Sequence, residues 1–301
     1  NPFSYEQTNC SVNPFALREG SKRPIVQDGD GRLVAVIGAG PAGMEAAVTL
    51  KQRGFDVVVF DKRDEIGGNL HVAKKPPFKG KFEWAIDYYK SMAKKLNITM
   101  KLGKEVTAQE VLALKPHSIL VATGSNVISI PLEGLDQVQT VQAHDVLAND
   151  MQFANKKVVV IGGGITGLET ALYINRQGTN QVSVVDMLPE WPVDMLDMRY
   201  QNEALLEVRH CNDQGVALFY NNKVVKFADG KLFIESTKDG EVKELPADVI
   251  VLSVGVKPND ALWQELLASG HPSVWKAGDA IATGKINKAV LHGSKFGYSL
   301  N

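Results

Sequence analysis

Six glycines recur in two sets of identical spacing: Gly38, Gly40 and Gly43, then Gly162, Gly164 and Gly167. Each set follows an apolar run, LVAVI from Leu33 and KVVVI from Lys157, and opens a stretch of small and apolar residues. In a strand, glycine turn and helix of this kind, the first glycine permits a tight turn. The second lets the backbone approach a pyrophosphate, and the third brings the helix onto the strand. The free N–H groups at the helix start then favour an anion. Pro41 and Ala42 open the first helix, Ile165 and Thr166 the second. Each following strand ends in a carboxylate, Asp61 after DVVVF and Asp186 after QVSVV, where the ribose hydroxyls of an adenine nucleotide are met. Lys62 and Met187 come next. Tight packing without a ligand would explain one such set, but the duplicate context and the paired carboxylates favour two bound dinucleotides. After Asp186 the chain reads Met-Leu-Pro instead of offering an Arg, so a 2′-phosphate would meet a negative charge. NADH is therefore favoured over NADPH.

The elements that must position these residues are those of an α/β protein with two Rossmann-like domains, the second inserted in the first. Residues 1–30 are rich in Asn, Pro, Gly and charge and read as an extended lead-in ending in the turn-like QDGDG. The first nucleotide domain is expected over 31–150 and 250–301, the second over 151–249. Between them, EIGGNLHVAKKPPFKG is irregular and longer than an ordinary βα loop, which points to a binding role over the first cofactor. An amphipathic helix follows, with Phe82, Ile86, Tyr89, Ala93 and Leu96 on one face for core packing. Asp229-Gly230 and Asp239-Gly240 separate β-rich runs and predict hairpins. SILVATG and ADVIVLSVG end alike, in Ala122, Thr123 and Gly124 and in Ser253, Val254 and Gly255, which favours a nucleotide contact at both places.

Composition sets the remaining bounds. The 301 residues are 44% hydrophobic and 22% charged, enough for two cores and unlike a disordered or fibrous chain. A net charge of -1 without basic runs gives no footprint for nucleic acid or an anionic membrane. No apolar stretch approaches the ~20 residues that span a bilayer. NPFSYEQTN lacks the basic and apolar segments of a secretory signal, so a cytoplasmic location is expected. The two cysteines, Cys10 and Cys211, have no redox or zinc-ligand spacing.

The order of first glycine set, VATG, second glycine set, SVG and AGDA resembles the two-dinucleotide flavoprotein reductases over nearly the whole chain. That resemblance implies FAD at the first set, NAD(P)H at the second, and Gly278 and Asp279 beside the flavin ribityl chain. The disulfide-reductase branch carries a redox cysteine beside the flavin. Nothing here matches it, since Cys211 is expected in the hairpin region. TNCSVNPFALREG and EIGGNLHVAKKPPFKGKFEWAIDYY are similar to the 2,4-dienoyl-CoA reductase, 2-enoate reductase and trimethylamine dehydrogenase family. This implies flavin contacts at Gly68, Asn69 and Leu70, with Val106 and Ala289 joining the FAD set. Glu169, on the helix after the second glycine set, is read either as reaching the nicotinamide or as a solvated or capping residue. It also implies an N-terminal barrel, absent here, that carries FMN and the other ligands of a [4Fe-4S] cluster, Cys10 being the last ligand. The implied activity is hydride transfer from NADH to FAD, NADH oxidase-like, needing no acid or base residue. In trimethylamine dehydrogenase the first site holds ADP, so an adenine-nucleotide module without catalysis is the alternative.

Overall fold

The computed structural model describes residues 10–16, 19–21, 24–189 and 198–301. Part of the lead-in, residues 1–9, 17–18 and 22–23, lies outside them. The chain divides into two compact units. Among the described residues, one contains those up to Lys74 with Lys81–Asn126 and Val256–Asn301; the other contains Lys75–Gly80 and those within Val127–Gly255. The chain leaves the first unit through strand Ser125–Val127 and returns through Val256–Pro258, and these two strands pair.

The first unit is built on a parallel sheet in the order Val274–Lys276, Ser118–Val121, Leu33–Ile37, Asp56–Phe60, Thr99–Lys101. Strand alternation sorts its side chains into two layers. Val34 and Val36 join a core with Met44, Leu50, Ile86 and Tyr89, under helices Pro41–Gln52 and Glu83–Lys95. Ala35 and Ile37 face the opposite core with Val111 and Leu266, from helices Ala108–Ala113 and Ala261–Ala268. The stripe expected for core packing does so: Ile86, Tyr89 and Ala93 are buried, and Phe82 and Leu96 pack partly buried beside them.

The second unit repeats the plan with strand order Gln139–Gln142, Val249–Leu252, Lys157–Ile161, Gln181–Val185, Ala217–Phe219, again all parallel. Val158 and Val160 face helices Ile165–Asn175 and Met198–Asp213. Val159 and Ile161 face Phe227, Leu232 and Ile234 of an antiparallel three-stranded sheet. Its strands Asn222–Ala228, Lys231–Ser236 and Val242–Pro246 are joined at the two Asp-Gly pairs, as expected. At the first joint Asp229 and Gly230 have φ of 50° and 73°, the left-handed pair a tight hairpin requires.

Three particulars differ from the sequence reading. Residues 127–150 lie in the second unit, because strand Gln139–Gln142 pairs with Val249–Leu252; LAND is the end of helix Ala143–Ala148, with Leu147 buried, and the exposed turn Asn149-Asp150 inside that unit. The long stretch after Asp61 is shared: Leu70–Ala73 is a short helix of the first unit, whereas Lys75–Gly80 belongs to the second. There Lys75 pairs with Asp150, Lys79 with Glu169 at 2.8 Å, and the Arg176 guanidinium lies 4.6 Å from the Phe78 ring centre. Cys211 is on helix Met198–Asp213, fully buried, and not in the hairpin region. A polar stretch with a weak apolar period hid that helix.

Candidate functional site

The two glycine turns are built to the same dimensions. Gly38 and Gly162 have φ of 114° and 108°, and a Cβ on either would lie 2.2 Å from a carbonyl oxygen of the neighbouring strand end, Ala122 or Ser253. A Cβ on Gly43 or Gly167 would lie 1.9 Å from the oxygen of Gly38 or Gly162. These four glycines are demanded by the protein's own backbone. Gly40 and Gly164 are not. Their backbones are extended, and a Cβ there would meet only the Gly68 Cα at 3.9 Å in one case and nothing within 4 Å in the other.

Gly40 and Gly164 are the N-caps of helices Pro41–Gln52 and Ile165–Asn175, and neither helix has a side-chain cap. The first N–H groups of a helix lack internal partners, so both turns present unsatisfied donors and half a positive charge beside an open glycine face. Proline at the first helical position costs no hydrogen bond there. A pyrophosphate satisfies the donors and uses the space that a side chain would take. The residues present therefore fit the dinucleotides implied by the resemblance.

Each carboxylate is tied to its turn. The Ala39 N–H donates to Asp61 Oδ2 at 2.6 Å and the Arg63 N–H to Oδ1 at 2.8 Å. In the second unit the Gly163 N–H donates to Asp186 Oδ2 at 2.6 Å and the Leu188 N–H to Oδ1 at 2.8 Å. An ionised carboxylate has about four lone-pair sites, so each Asp retains acceptor capacity beside the turn it holds. Asp61 is half-buried and Lys62 after it exposed, and Met187 and Leu188 are exposed apolar residues after Asp186.

Around the first turn, Gly67 donates to the Ala39 oxygen at 2.9 Å, and a Cβ on Gly68 would come within 2.8 Å of the Gly40 Cα. The Leu70 side chain is buried in the core, so only its backbone is available to a ligand; Asn69 accepts from Arg63 at 3.3 Å. Val106 is buried in the opposite core. Thr123 donates its hydroxyl to the Asn259 oxygen at 2.5 Å, and the Gly124 oxygen accepts from the Asn259 N–H at 3.0 Å, so this strand end is held to the returning chain. In the second unit, Gly255 has φ of 101° and accepts from the Ile128 N–H at 3.0 Å. Glu169 is 12% exposed and faces Lys79, so its carboxylate is engaged by a cation of its own unit.

Gly278 and Asp279 are carried to the first turn by a close pairing of helices, Ile286–Ser299 on Pro41–Gln52. Cβ atoms on Gly293 and Gly297 would meet the Ala42 oxygen at 2.1 Å and Thr49 Cβ at 2.6 Å. Gly278 in turn lies against Ala42 and Ala289. Sequence reasoning missed Gly293 and Gly297, although their four-residue spacing in LHGSKFG is the signal of such an approach. Asp279 accepts from the Gly284 N–H at 3.1 Å, and burial pushes its carboxyl above the ordinary value. Burial, followed by Lys295 and Lys288, holds the neighbouring His292 below the usual imidazole range.

The family model for pyridine nucleotide-disulphide oxidoreductases matches residues 32–290. The chain belongs to that family. Among pyridine nucleotide-disulphide oxidoreductases and their relatives, it is 32% identical over 306 residues to an NADH oxidase of Thermoanaerobacter brockii, covering 99% of this chain and 45% of the relative. It is 34% identical over 238 residues to a bilirubin reductase of Mediterraneibacter gnavus, covering 79% of this chain and 36% of the relative. A solved 2-naphthoyl-CoA reductase superposes with TM-score 0.87 at 29% identity, over 97% of this chain and 43% of the other. The chain thus spans less than half the length of these relatives. They bear out the resemblance drawn from the sequence, and the two parallel nucleotide-type sheets are those of the family.

The family name refers to disulfides, yet both cysteines are free thiols. Burial, followed by the charge of Glu207, pushes the Cys211 thiol up to about 12. A thiol reacts as its thiolate, so Cys211 is inert near neutrality. An aromatic disulfide reagent at pH 8 should titrate one thiol per folded chain, Cys10, and both after denaturation. Fast modification of Cys211 in the folded protein would contradict this.

Proposed function

We propose that this chain forms the FAD- and NADH-binding part of an NADH-dependent flavoprotein oxidoreductase. The observation that carries the reading is the pair Gly40 and Gly164. The protein leaves room for a side chain at both, beside uncapped helix N-termini, and uses neither. In this reading Gly38, Gly40, Pro41, Ala42 and Gly43 hold the FAD pyrophosphate, Asp61 and Lys62 its adenosine, and Gly278 and Asp279 its ribityl side. Gly162, Gly164, Ile165, Thr166 and Gly167 hold NADH, with Asp186 and Met187 at its adenosine. When bound, FAD supplies the hydride acceptor and NADH the donor. The protein's part is binding and orientation, so no acid or base of the chain is required.

Cys10 would be the one ligand this chain contributes to a [4Fe-4S] cluster. Such a cluster needs four thiolates. The chain has two cysteines, and among the described residues no group of three or more His, Cys, Asp or Glu could hold a metal. The chain's own residues do not fit the cluster. An FMN-bearing barrel and an alkene substrate belong to the same proposal, at the level of the longer relatives. No helix among the described residues is long and apolar enough to cross a membrane, and a cytoplasmic location is part of the proposal.

The test is the visible spectrum of the purified protein before and after anaerobic NADH. A flavin band that bleaches supports the reading, and NADH should exceed NADPH in kcat/KM with a dye by at least about tenfold, or ~1.4 kcal/mol. A flavin band untouched by NADH overturns hydride transfer. A colourless protein that takes up ADP and rejects FAD would shift the reading to the adenine-nucleotide module.

A further inference from the structure

The central peptide of each glycine turn is held at both ends, and the two turns differ in how. In the first, Ala39 gives its N–H to Asp61 at 2.6 Å, and its carbonyl accepts from the Gly67 backbone at 2.9 Å. In the second, Gly163 gives its N–H to Asp186 at 2.6 Å in the same way. Its carbonyl instead accepts from a side chain, the Tyr220 hydroxyl, at 3.3 Å. The Tyr220 ring also covers this peptide: a Cβ on Gly163 would lie 2.9 Å from Tyr220 Cε1. The Tyr220 ring, with the Asp186 Cβ at 3.1 Å, occupies the space a side chain at residue 163 would take.

Tyr220 is fixed in turn by the segment that carries Asp186. Asp186 N–H donates to the Phe219 oxygen at 3.0 Å, Asn222 N–H to the Asp186 oxygen at 2.9 Å, and Asn221 N–H to the Leu188 oxygen at 2.9 Å. The Asn222 amide donates to the Tyr220 oxygen at 2.8 Å. Tyrosine, carboxylate and glycine turn therefore form one hydrogen-bonded piece.

We infer that Tyr220 is a positioning residue for the nicotinamide nucleotide, its hydroxyl and ring holding the Gly163 peptide so that the N–H groups after it face the pyrophosphate. The inference rests on the functional reading above and deepens its second site. It also separates the two sites. The backbone latch of the first turn brings Gly68 over Gly40, which suits a group that stays. The side-chain latch of the second leaves Gly164 with nothing within 4 Å, which suits a nucleotide that exchanges at every turnover.

The experiment is titration of the flavin-loaded protein and its Tyr220→Phe variant with NADH and, separately, with ADP-ribose, following heat of binding and the ligand-dependent shift in melting temperature. Phenylalanine keeps the ring and removes the hydroxyl. A single hydrogen bond corresponds to about a fivefold change in affinity, so the dissociation constant should rise about fivefold. The rise should be the same for both ligands because the latch acts at the pyrophosphate and not at the nicotinamide. Flavin content and the melting temperature without nucleotide should stay at wild-type values. Gly163→Ala, which displaces the ring, should weaken both ligands further. Unchanged affinities in Tyr220→Phe overturn the inference, as does a lower melting temperature with unchanged affinities, or a loss confined to NADH. Failure of the wild-type protein to bind either ligand overturns the functional reading itself and this inference with it.

Discussion

Gly40→Ala should fold with the stability of the parent chain and hold FAD at least a hundredfold more weakly, a loss of about 3 kcal/mol. Gly43→Ala should lose about 3 kcal/mol of folding stability whether or not a ligand is present. The contrast follows from where each new Cβ goes. On Gly43 it falls 1.9 Å from the Gly38 oxygen, inside the contact between helix and turn, and the backbone must move. On Gly40 the nearest atom is the Gly68 Cα at 3.9 Å, an ordinary contact, and the extended backbone suits alanine as well as glycine. The only thing the methyl group displaces is a ligand lying against the turn. Urea unfolding of the FAD-free proteins and flavin retention on gel filtration measure the two effects separately. Wild-type flavin retention in Gly40→Ala would mean that the open face is not the pyrophosphate site, and the case for the first nucleotide would fall.

That contrast also marks how far sequence reasoning reaches. Spacing made all six turn glycines visible, together with Asp61, Asp186 and the strands before them, because each depends on residues near in sequence. It could not divide the glycines into those the backbone requires and those a ligand requires. For Gly38 and Gly162 the requirement comes from Ala122 and Ser253, which arrive at the turn from strands about ninety residues further along, and for Gly43 and Gly167 from the way the turn folds back onto the Gly38 and Gly162 oxygens. Asp61 and Asp186 were expected at ribose hydroxyls, and the structure shows them first holding the central peptides of their turns. Aspartate is short enough to reach back to the turn, a distance that motif spacing does not express. Tyr220 carries no motif at all, since its partner Gly163 lies 57 positions earlier in the chain.

Arg53→Met should destabilise the first unit by about 3 kcal/mol, the range for breaking a buried charged hydrogen-bond set. Arg53 is 5% exposed and ends the turn after helix Pro41–Gln52. Its guanidinium donates to Asp28 Oδ1 at 2.8 Å and Oδ2 at 2.6 Å, and to the Gly297 and Leu300 oxygens at 2.7 Å each. One side chain thus joins the segment before the first strand to the end of the last helix, the same helix whose Gly293 brings Gly278 and Asp279 to the flavin side. Methionine fills the volume and leaves two carbonyls without their donor, so flavin retention should fall together with stability. The pH dependence has a definite sign. Arg53 holds the Asp28 carboxyl below its ordinary value of 3.8. A carboxylate lowered in the folded state contributes stability that is complete above the unfolded value and is lost as pH falls through the folded one. The difference between parent and Arg53→Met should therefore be constant from neutrality down to about pH 5 and shrink below pH 4. A difference that persists undiminished at pH 2.5 would show that the carbonyl contacts, without Asp28, carry the whole effect.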